Sequence, residues 1–282
     1  MFSKNGSLIL LILTISLFEL YGQKDFSFML LPERRLWPVI FHDPLECQIM
    51  GSSAVLFRNE NDPGLYSTVN LGFSKPVFAG NAKKFSWELN FGTAVFSQFD
   101  LIKKEDGVFL AGLMNNDFKL TGDLTLRRNS NLLRLRTFHL SSHLGDDFML
   151  RHPDTLKNDK SGNYEQADLT YMRLRGNNFF YAGGGWIYTI YAFRKRLSFQ
   201  TGGIMNIRNG YPVSYFAGAD VKLLAENNFE PDLRILYGVS FNRRSLPLAR
   251  IWIEYYSGRL PYGTIDYGRI NWLGATLAIA MN

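Results

Sequence analysis

The residues of this chain that are best suited to chemistry lie in one short segment, RLRTFHLSSHLGDDFMLRH, which spans residues 134–152. Ser141 in this segment is two positions away from both His139 and His143. Alternate residues of a β-strand point to the same face, so in a strand either imidazole can reach the serine hydroxyl and act as its base. The spacing therefore indicates a candidate serine nucleophile with two candidate histidine bases.

A carboxylate that orients the histidine would complete a nucleophilic triad. Asp147, or its neighbour Asp146, follows the cluster closely enough to take this role. The simpler interpretation is structural, because the same polar residues can cap the end of a strand and order the following loop. Our candidate catalytic residues are Ser141, His139, His143 and Asp147.

Metal binding is a weaker interpretation of the same segment. Four residues of an extended strand separate His139 and His143 by about 13 Å, which is too far for both to bind one zinc ion. The carboxylates of Asp146, Asp147 and Asp154 could bind calcium in a loop, but carboxylates alone are weak support for a site. We therefore expect no cofactor, with calcium added only if the protein hydrolyses lipids.

The segments on either side of this cluster alternate apolar and polar residues with the period of a β-strand. In residues 233–243, for example, Leu, Ile, Tyr, Val and Phe share one face, and Arg, Gly, Ser and Asn lie mostly on the other. The same alternation recurs in residues 85–95, 118–127, 197–208, 213–223, 250–256 and 271–281. About twelve such strands predict an all-β chain.

Three features favour a membrane barrel over a soluble sandwich, which can alternate in the same way. An even number of strands returns both ends of a barrel to one side, and short turns alternate here with longer segments, as periplasmic turns and outer loops do. The turns are 129–131, 176–178 and 209–212, and the longer segments are 99–116, 144–163 and 258–269. Aromatic residues that could form interfacial girdles are Trp87, Trp186, Trp252, Trp272, Tyr211, Tyr255 and Tyr256.

The polar faces of these strands would point into the barrel. Charged residues expected to line the lumen, mostly as opposite-charge partners, are Glu88, Lys119, Asp123, Arg127, Arg134, Arg136, Arg234, Arg250 and Glu254. The simpler interpretation of this set is a structural network of ion pairs. The more specific functional interpretation is a pore for anions. The run Gly183–Gly185 lacks the helix and the lysine of a phosphate-binding loop, so we expect it to relieve crowding in a strand.

The N-terminus has the pattern of a secretory signal peptide. Lys4 precedes an apolar run over residues 8–18, and Gly22 is a small residue suited to cleavage. The single cysteine, Cys47, excludes an internal disulfide and is expected to be a small buried side chain. We predict residues 1–22 as the signal peptide and 23–282 as one outer-membrane barrel domain, with strands from about 48 onward.

The charge balance gives little indication of a partner. The net charge of +6 arises from 31 Lys and Arg against 25 Asp and Glu, and no basic block stands out. We therefore expect no nucleic-acid partner.

The His-x-Ser spacing at residues 139–141 resembles two families of outer-membrane lipid hydrolases, the outer-membrane phospholipase A and the lipid A deacylases. In both families these two residues lie on the outside of a barrel, so the resemblance implies ester hydrolysis at the leaflet boundary. The sequence departs from them at Ser142, where those families have Asn. Their third member lies on the following strand, where the nearby residues are Asp154, Asn163 and Glu165.

A second resemblance covers the chain from about Leu31 to Met281. Several segments, in order, are similar to a bacterial family known only as a domain of unknown function (family twelve-oh-seven). They are Phe41 to Pro44, Ser141 to Asp147, Phe179 to Trp186, Ala217 to Asp220, Pro231 to Arg234, Tyr255 to Gly258 and Pro261 to Gly263. This resemblance implies an exported envelope protein of Gram-negative type and brings no assigned activity or catalytic residues.

Together these observations predict a single antiparallel transmembrane β-barrel in the outer membrane, with periplasmic termini. The expected partners are outer-membrane lipids and, during biogenesis, the barrel-assembly machinery. A structural or ligand-binding role ranks first among the possible functions, and a lipid esterase or acyl hydrolase with a Ser nucleophile and a His base ranks second. A narrow channel ranks third, because small barrels usually fill their lumen with side chains.

Overall fold

The computed structural model describes residues 26–57, 63–103, 109–151, 162–189, 194–208, 210–243, 246–261 and 268–280. The predicted signal peptide, residues 1–22, lies outside these described residues. The first strands are β1 (Phe26–Leu30), β2 (Ile49–Phe57), β3 (Pro63–Ala82), β4 (Phe85–Lys103), β5 (Phe109–Arg128), β6 (Asn131–Leu144) and β7 (Gly162–Arg175). The others are β8 (Asn178–Thr189), β9 (Leu197–Arg208), β10 (Val213–Leu224), β11 (Pro231–Arg243), β12 (Leu246–Gly258) and β13 (Ile270–Ile279).

Two short helical elements interrupt the strands. A helix, α1 (Asp146–Arg151), follows β6, and a 3-10 turn (Ala225–Asn227) follows β10. Neither helical segment in the described part of the chain has the length and apolar character needed to cross a bilayer.

Strands β2 to β13 form a closed antiparallel barrel of twelve strands. Each strand pairs with its neighbours in sequence, and the barrel closes where β13 pairs with β2, with Ile279 opposite Ile49. The additional strand β1 pairs with the last residues of β3, where Phe26 lies opposite Ala82. The fold confirms the predicted all-β barrel, and its even strand number leaves the start of β2 and the end of β13 at the same end.

The connections between strands alternate in length around the barrel. One end, called the short-turn end below, carries the connections 83–84, 129–130, 176–177, 209–212 and 244–245. The other, the long-loop end, carries 58–62, 104–108, 145–161, 190–196, 225–230 and 259–269. The alternation is as predicted, but the long segment expected over 99–116 is mostly strand. Pairing between β4 and β5 continues as far as Lys103 and Phe109, so that only 104–108 connects them.

The two faces of the barrel wall are inverted relative to those of a soluble protein. Leu71 and Leu169 on the outside are 60% and 52% exposed, whereas Asp123 and Arg136 on the inside are buried. A continuous apolar outer surface around a polar interior is stable in a bilayer and is unfavourable in water. The sequence alternation alone did not decide between these two solvents, and the placement of its faces favours the membrane.

The prediction of aromatic girdles is wrong for three of its seven residues. Trp252, Tyr256 and Trp272 are buried in the lumen. Trp252 and Tyr256 are each two residues away from Glu254 on β12, so all three share the inward face. Trp272 lies opposite Tyr256 on β13. Both indole N–H groups donate to the Glu254 carboxylate, at 2.9 and 3.0 Å. The predicted aromatic residues that are exposed are Trp186, Tyr211 and Tyr255.

A segment that precedes the barrel strands enters the lumen and is called the plug here (residues 35–48). Its apolar residues Trp37, Ile40 and Phe41 are at most 3% exposed and pack with the inward-facing Phe216 and Trp252. The predicted strands begin at about residue 48, and the location of this preceding segment was not predicted. The plug therefore contributes to one of the hydrophobic clusters inside the barrel, and a second cluster, around Tyr66 and Trp272, forms without it.

Ion pairs hold the plug to the barrel wall. The Glu46 carboxylate accepts hydrogen bonds from Arg134 at 2.9 Å and from Arg136 at 2.5 Å, and Asp43 pairs with Lys222 at 2.7 Å. Burial alone would raise the pKa of Asp43, but attraction by Lys222 lowers this pKa to about 2. Burial likewise opposes ionisation of Glu46, and Arg136 and Arg134 nevertheless hold its pKa well below the usual range. Both carboxylates are therefore charged anchors.

The plug also makes the stability of the protein depend on pH through His42. Burial lowers the pKa of His42 to about 3, and its Nε2 lies 2.9 Å from the Tyr181 hydroxyl. An unfolded histidine takes up a proton near pH 6.5, so the unfolded state binds more protons below that pH. We expect the free energy of unfolding to fall from pH 7 to pH 5, and to fall less in His42→Phe. Urea titrations at the two pH values measure the free energy of unfolding. An equal decrease from pH 7 to pH 5 in wild type and in His42→Phe would contradict the prediction.

Candidate active site

The polar cluster of β6 lies on the outer wall of the barrel, toward the long-loop end. Along β6 the side chains of Arg134, Arg136 and Phe138 point inward and are buried, whereas His139 and His143 are exposed on the outside. Alternation of this kind places every second residue on one face. The cluster therefore lies among the apolar side chains of the barrel exterior, as expected from the strand alternation that sends Arg134 and Arg136 into the lumen.

Ser141 is in direct contact with one of the two candidate bases. Its hydroxyl oxygen lies 2.8 Å from Nε2 of His143, two residues further along the same strand face. The His143 ring packs edge-on against Phe118 of β5, with ring centroids 5.9 Å apart. A serine hydroxyl in hydrogen-bond contact with an imidazole is the pair that nucleophilic catalysis requires.

The other candidate base is paired with a carboxylate on the next strand. Nδ1 of His139 lies 2.8 Å from Oε1 of Glu165, and the two residues are directly opposite in the register of β6 and β7. A carboxylate bound to Nδ1 fixes the tautomer so that Nε2 can accept a proton, and it stabilises the imidazolium that forms. Glu165 and His139 therefore form one pair across β6 and β7, and Ser141 and His143 form a second pair on the same face of β6.

Asp147 occupies a different position from the one proposed for it. It lies in the first turn of α1, and its Oδ2 accepts a hydrogen bond of 2.9 Å from the backbone N–H of Leu113 on β5. Within the described residues it contacts neither histidine. Of the other residues considered, Asn163 lies directly opposite Ser141 on β7, and Asp154 lies outside the described residues.

The described part of the chain contains no group of three His, Cys, Asp or Glu residues arranged to hold a metal ion. His139 and His143 are engaged with Glu165 and Ser141 respectively, rather than with each other. The calcium hypothesis stays a prediction, because Asp154 lies outside the described residues; of the other two carboxylates, that of Asp147 accepts the hydrogen bond from Leu113.

The lumen is occupied by the plug and by paired charges. Asp123 pairs with Arg136 at 2.7 Å, and Glu254 pairs with Arg234 at 2.7 Å, so the prediction of opposite-charge partners is confirmed for both. A cavity of about 120 Å³ remains on the long-loop side of the plug. Its wall includes the glycine run of β8, where a Cβ at Gly185 would lie 2.4 Å from a carboxylate oxygen. These glycines relieve crowding, as expected.

The fold defines an outer-membrane-type β-barrel with a polar cluster on its lipid-facing wall and a plug in its lumen. The chain belongs to the family described as protein of unknown function (DUF1207), whose model matches residues 26–280. This match confirms the resemblance seen in the sequence. No curated protein matches the chain.

Solved structures of similar fold include outer-membrane phospholipases. The outer-membrane phospholipase of Salmonella typhi, a dimer with bound calcium, has 10% identity and a TM-score of 0.52 over 88% of this chain and 94% of that chain. The Escherichia coli outer membrane phospholipase A has 10% identity and a TM-score of 0.50 over 83% of this chain and 96% of that chain. At such identities the similarity shows the fold alone.

Proposed function

We propose that this protein is an outer-membrane hydrolase that cleaves acyl esters of membrane lipids, with Ser141 as the nucleophile. The observation that carries the proposal is the position of Ser141 between two imidazoles on the lipid-facing wall, one of them bound to a carboxylate. Polar groups on the lipid face of a barrel are unfavourable, and such groups in membranes are functional candidates by default.

His139 is the better base of the two. A general base needs a partner that fixes its tautomer and stabilises its protonated form, and Glu165 does both for His139. The hydroxyl of Ser141 is held at rest by His143. Since both histidines are two residues away on the same face, rotation about χ1 of Ser141 turns the hydroxyl from His143 to His139. Catalytic hydrogen bonds are often unformed before substrate binds.

The reaction follows from these roles. The Ser141 oxygen attacks the ester carbonyl carbon while His139 takes its proton, and a tetrahedral oxyanion forms. The oxyanion collapses, the lipid alcohol leaves with the proton from His139, and an acyl-serine remains. Water, deprotonated by the same imidazole, then attacks the acyl-serine; the bond to the Ser141 oxygen breaks, this oxygen takes the proton back from His139, and the fatty acid is released. Asn163, directly across from Ser141, is the side-chain amide placed to donate to the oxyanion.

The proposed substrates and location follow from the orientation of the site. A nucleophile on the outer wall near the long-loop end faces the lipids that surround the barrel rather than solutes in the lumen. We place the protein in the outer membrane with the short turns in the periplasm, which is the usual orientation of such barrels. Outer-membrane lipids would then be its substrates, and the barrel-assembly machinery its partner during biogenesis.

The direct test is lipid hydrolysis by refolded protein whose barrel is verified by heat-modifiable gel mobility. Phospholipid and lipopolysaccharide are supplied separately, each with and without calcium. We expect fatty-acid release from at least one lipid, and a requirement for calcium would indicate a metal site completed by residues beyond those described. Absence of release from all four mixtures would overturn the proposal for these lipids.

Replacing Glu165 by glutamine tests the assignment of His139 as the base. The amide keeps the shape of the side chain but cannot stabilise an imidazolium, so we expect kcat to fall by about 10²–10⁴-fold. The matched control is Glu230→Gln, because Glu230 is an exposed partner of Arg269 remote in sequence from the site. If Glu165→Gln has the same kcat as the control, His139 is not the base, and His143 takes that role.

A further inference from the structure

A second concave region lies in the lumen, at the end of the barrel opposite the candidate site. It is called the vestibule here, and its volume is about 810 Å³. Its wall includes the first half of the plug, the turn at 176–177 and the end of β13, which places it at the short-turn end. Small-molecule sites in proteins have volumes of about 300–1,000 Å³, so the vestibule has the size of a ligand site.

The charge of the vestibule is strongly unbalanced. Its lining contains four arginines, Arg34, Arg35, Arg127 and Arg250, and a single carboxylate, that of Glu33. Four other cations of the lumen contrast with this set, since Arg134, Arg136, Arg234 and Lys222 all pair with carboxylates, whereas Lys119 donates to the backbone carbonyl of Leu45.

None of these four arginines forms an ion pair with a carboxylate of the described residues. Arg35 donates from Nη2 to the Ser74 hydroxyl at 3.3 Å, and its Nε is buried without a partner. Arg127 donates to the backbone carbonyl of Asn129 at 3.0 Å. The guanidinium of Arg250 lies 4.3 Å over the Phe41 ring.

Trp37 of the plug forms part of the apolar lining, and the four arginines form its charged part. Guanidinium groups bind phosphate and carboxylate oxygens through paired hydrogen bonds.

We propose that the vestibule binds a small polyvalent oxyanion, one that carries phosphate or carboxylate groups. Three excess positive charges in the lining match an anion with two or three negative charges, and the guanidinium groups of the lining arginines would be its donors. This site is independent of the proposed hydrolase activity, because it lies inside the barrel at the other end.

The test is isothermal titration calorimetry of the folded protein in detergent micelles at physiological ionic strength. Inorganic pyrophosphate and citrate are the two probes, and they distinguish phosphate from carboxylate chemistry. The matched variants are Arg127→Gln and Arg128→Gln, since these neighbours lie on opposite faces of β5 beside the same turn. Arg127 lines the vestibule, whereas Arg128 is exposed and lies near the Phe85 ring.

We expect at least one probe to bind, and Arg127→Gln to weaken that binding about 10-fold, while Arg128→Gln leaves it within about twofold of wild type. Arg250→Gln, with its fold verified by heat-modifiable mobility, should weaken the same probe at least as much. Binding of neither probe would overturn the proposal. Equal weakening by Arg127→Gln and Arg128→Gln would also overturn it, because it would indicate general attraction to a basic surface.

Discussion

Replacement of Ser141 by alanine should abolish fatty-acid release, with a loss of about 10³-fold or more in kcat. Alanine lacks the hydroxyl that forms the acyl intermediate, and no neighbouring group replaces it on this face: the next serine, Ser142, is 2% exposed and faces the lumen, where it contacts Asn115. Release of labelled fatty acid by equal amounts of folded protein measures the effect.

The matched control for this prediction is Ser53→Ala. Ser53 is also an outward-facing serine of the barrel wall, and its hydroxyl forms a hydrogen bond of 2.7 Å, but the partner is Ser67 rather than a histidine. We expect this variant to keep wild-type activity. A Ser141→Ala protein that releases fatty acid at the wild-type rate would show that any hydrolysis proceeds without Ser141.

Replacement of Glu46 by glutamine should destabilise the protein by about 3–5 kcal/mol, the range found when one partner of a buried ion pair is removed. Glu46 is 3% exposed and accepts from both Arg134 and Arg136. Arg136 keeps Asp123 as a partner, but Arg134 loses its carboxylate in the variant. Urea titration of the barrel in micelles measures the free energy of unfolding.

The control for Glu46→Gln is Glu33→Gln, which makes the same change near the start of the plug at an exposed position. We expect its free energy of unfolding to stay within about 0.5 kcal/mol of wild type. Protease digestion of folded protein should also cut Glu46→Gln between residues 35 and 48 before it cuts wild type. If both variants have wild-type stability, Glu46 does not anchor the plug.

Much of the barrel could be predicted from the sequence because its rules are local. Period-two alternation and turn chemistry specify strands, and strand parity placed His139 and Ser141 on the outside and Arg136 on the inside. The same alternation puts Trp252 on the lumen face together with Glu254, two residues further along β12. The girdle prediction did not take this alternation into account.

The plug and the carboxylate partner could not be predicted with the same certainty, because both depend on long-range contacts. The plug has no strand periodicity, and its anchor Glu46 meets Arg136 across 90 positions of sequence. The pairing of Glu165 with His139 depends on the register between β6 and β7. The sequence alone does not specify at which residue β7 begins, so it does not specify this register. The local signal for the plug is the presence of two carboxylates, Asp43 and Glu46, next to the apolar residues Phe41 and Leu45.

Labelling with an alkyl fluorophosphonate, followed by mass spectrometry of peptides, tests the central claim most directly. The probe reacts with serines activated by a base, so it needs no knowledge of the natural lipid. We predict one covalent adduct, on Ser141, in folded wild-type protein, and a large decrease of this adduct in Glu165→Gln. A verified folded barrel in which Ser141 stays unlabelled, or is labelled no more than Ser53, would contradict the account.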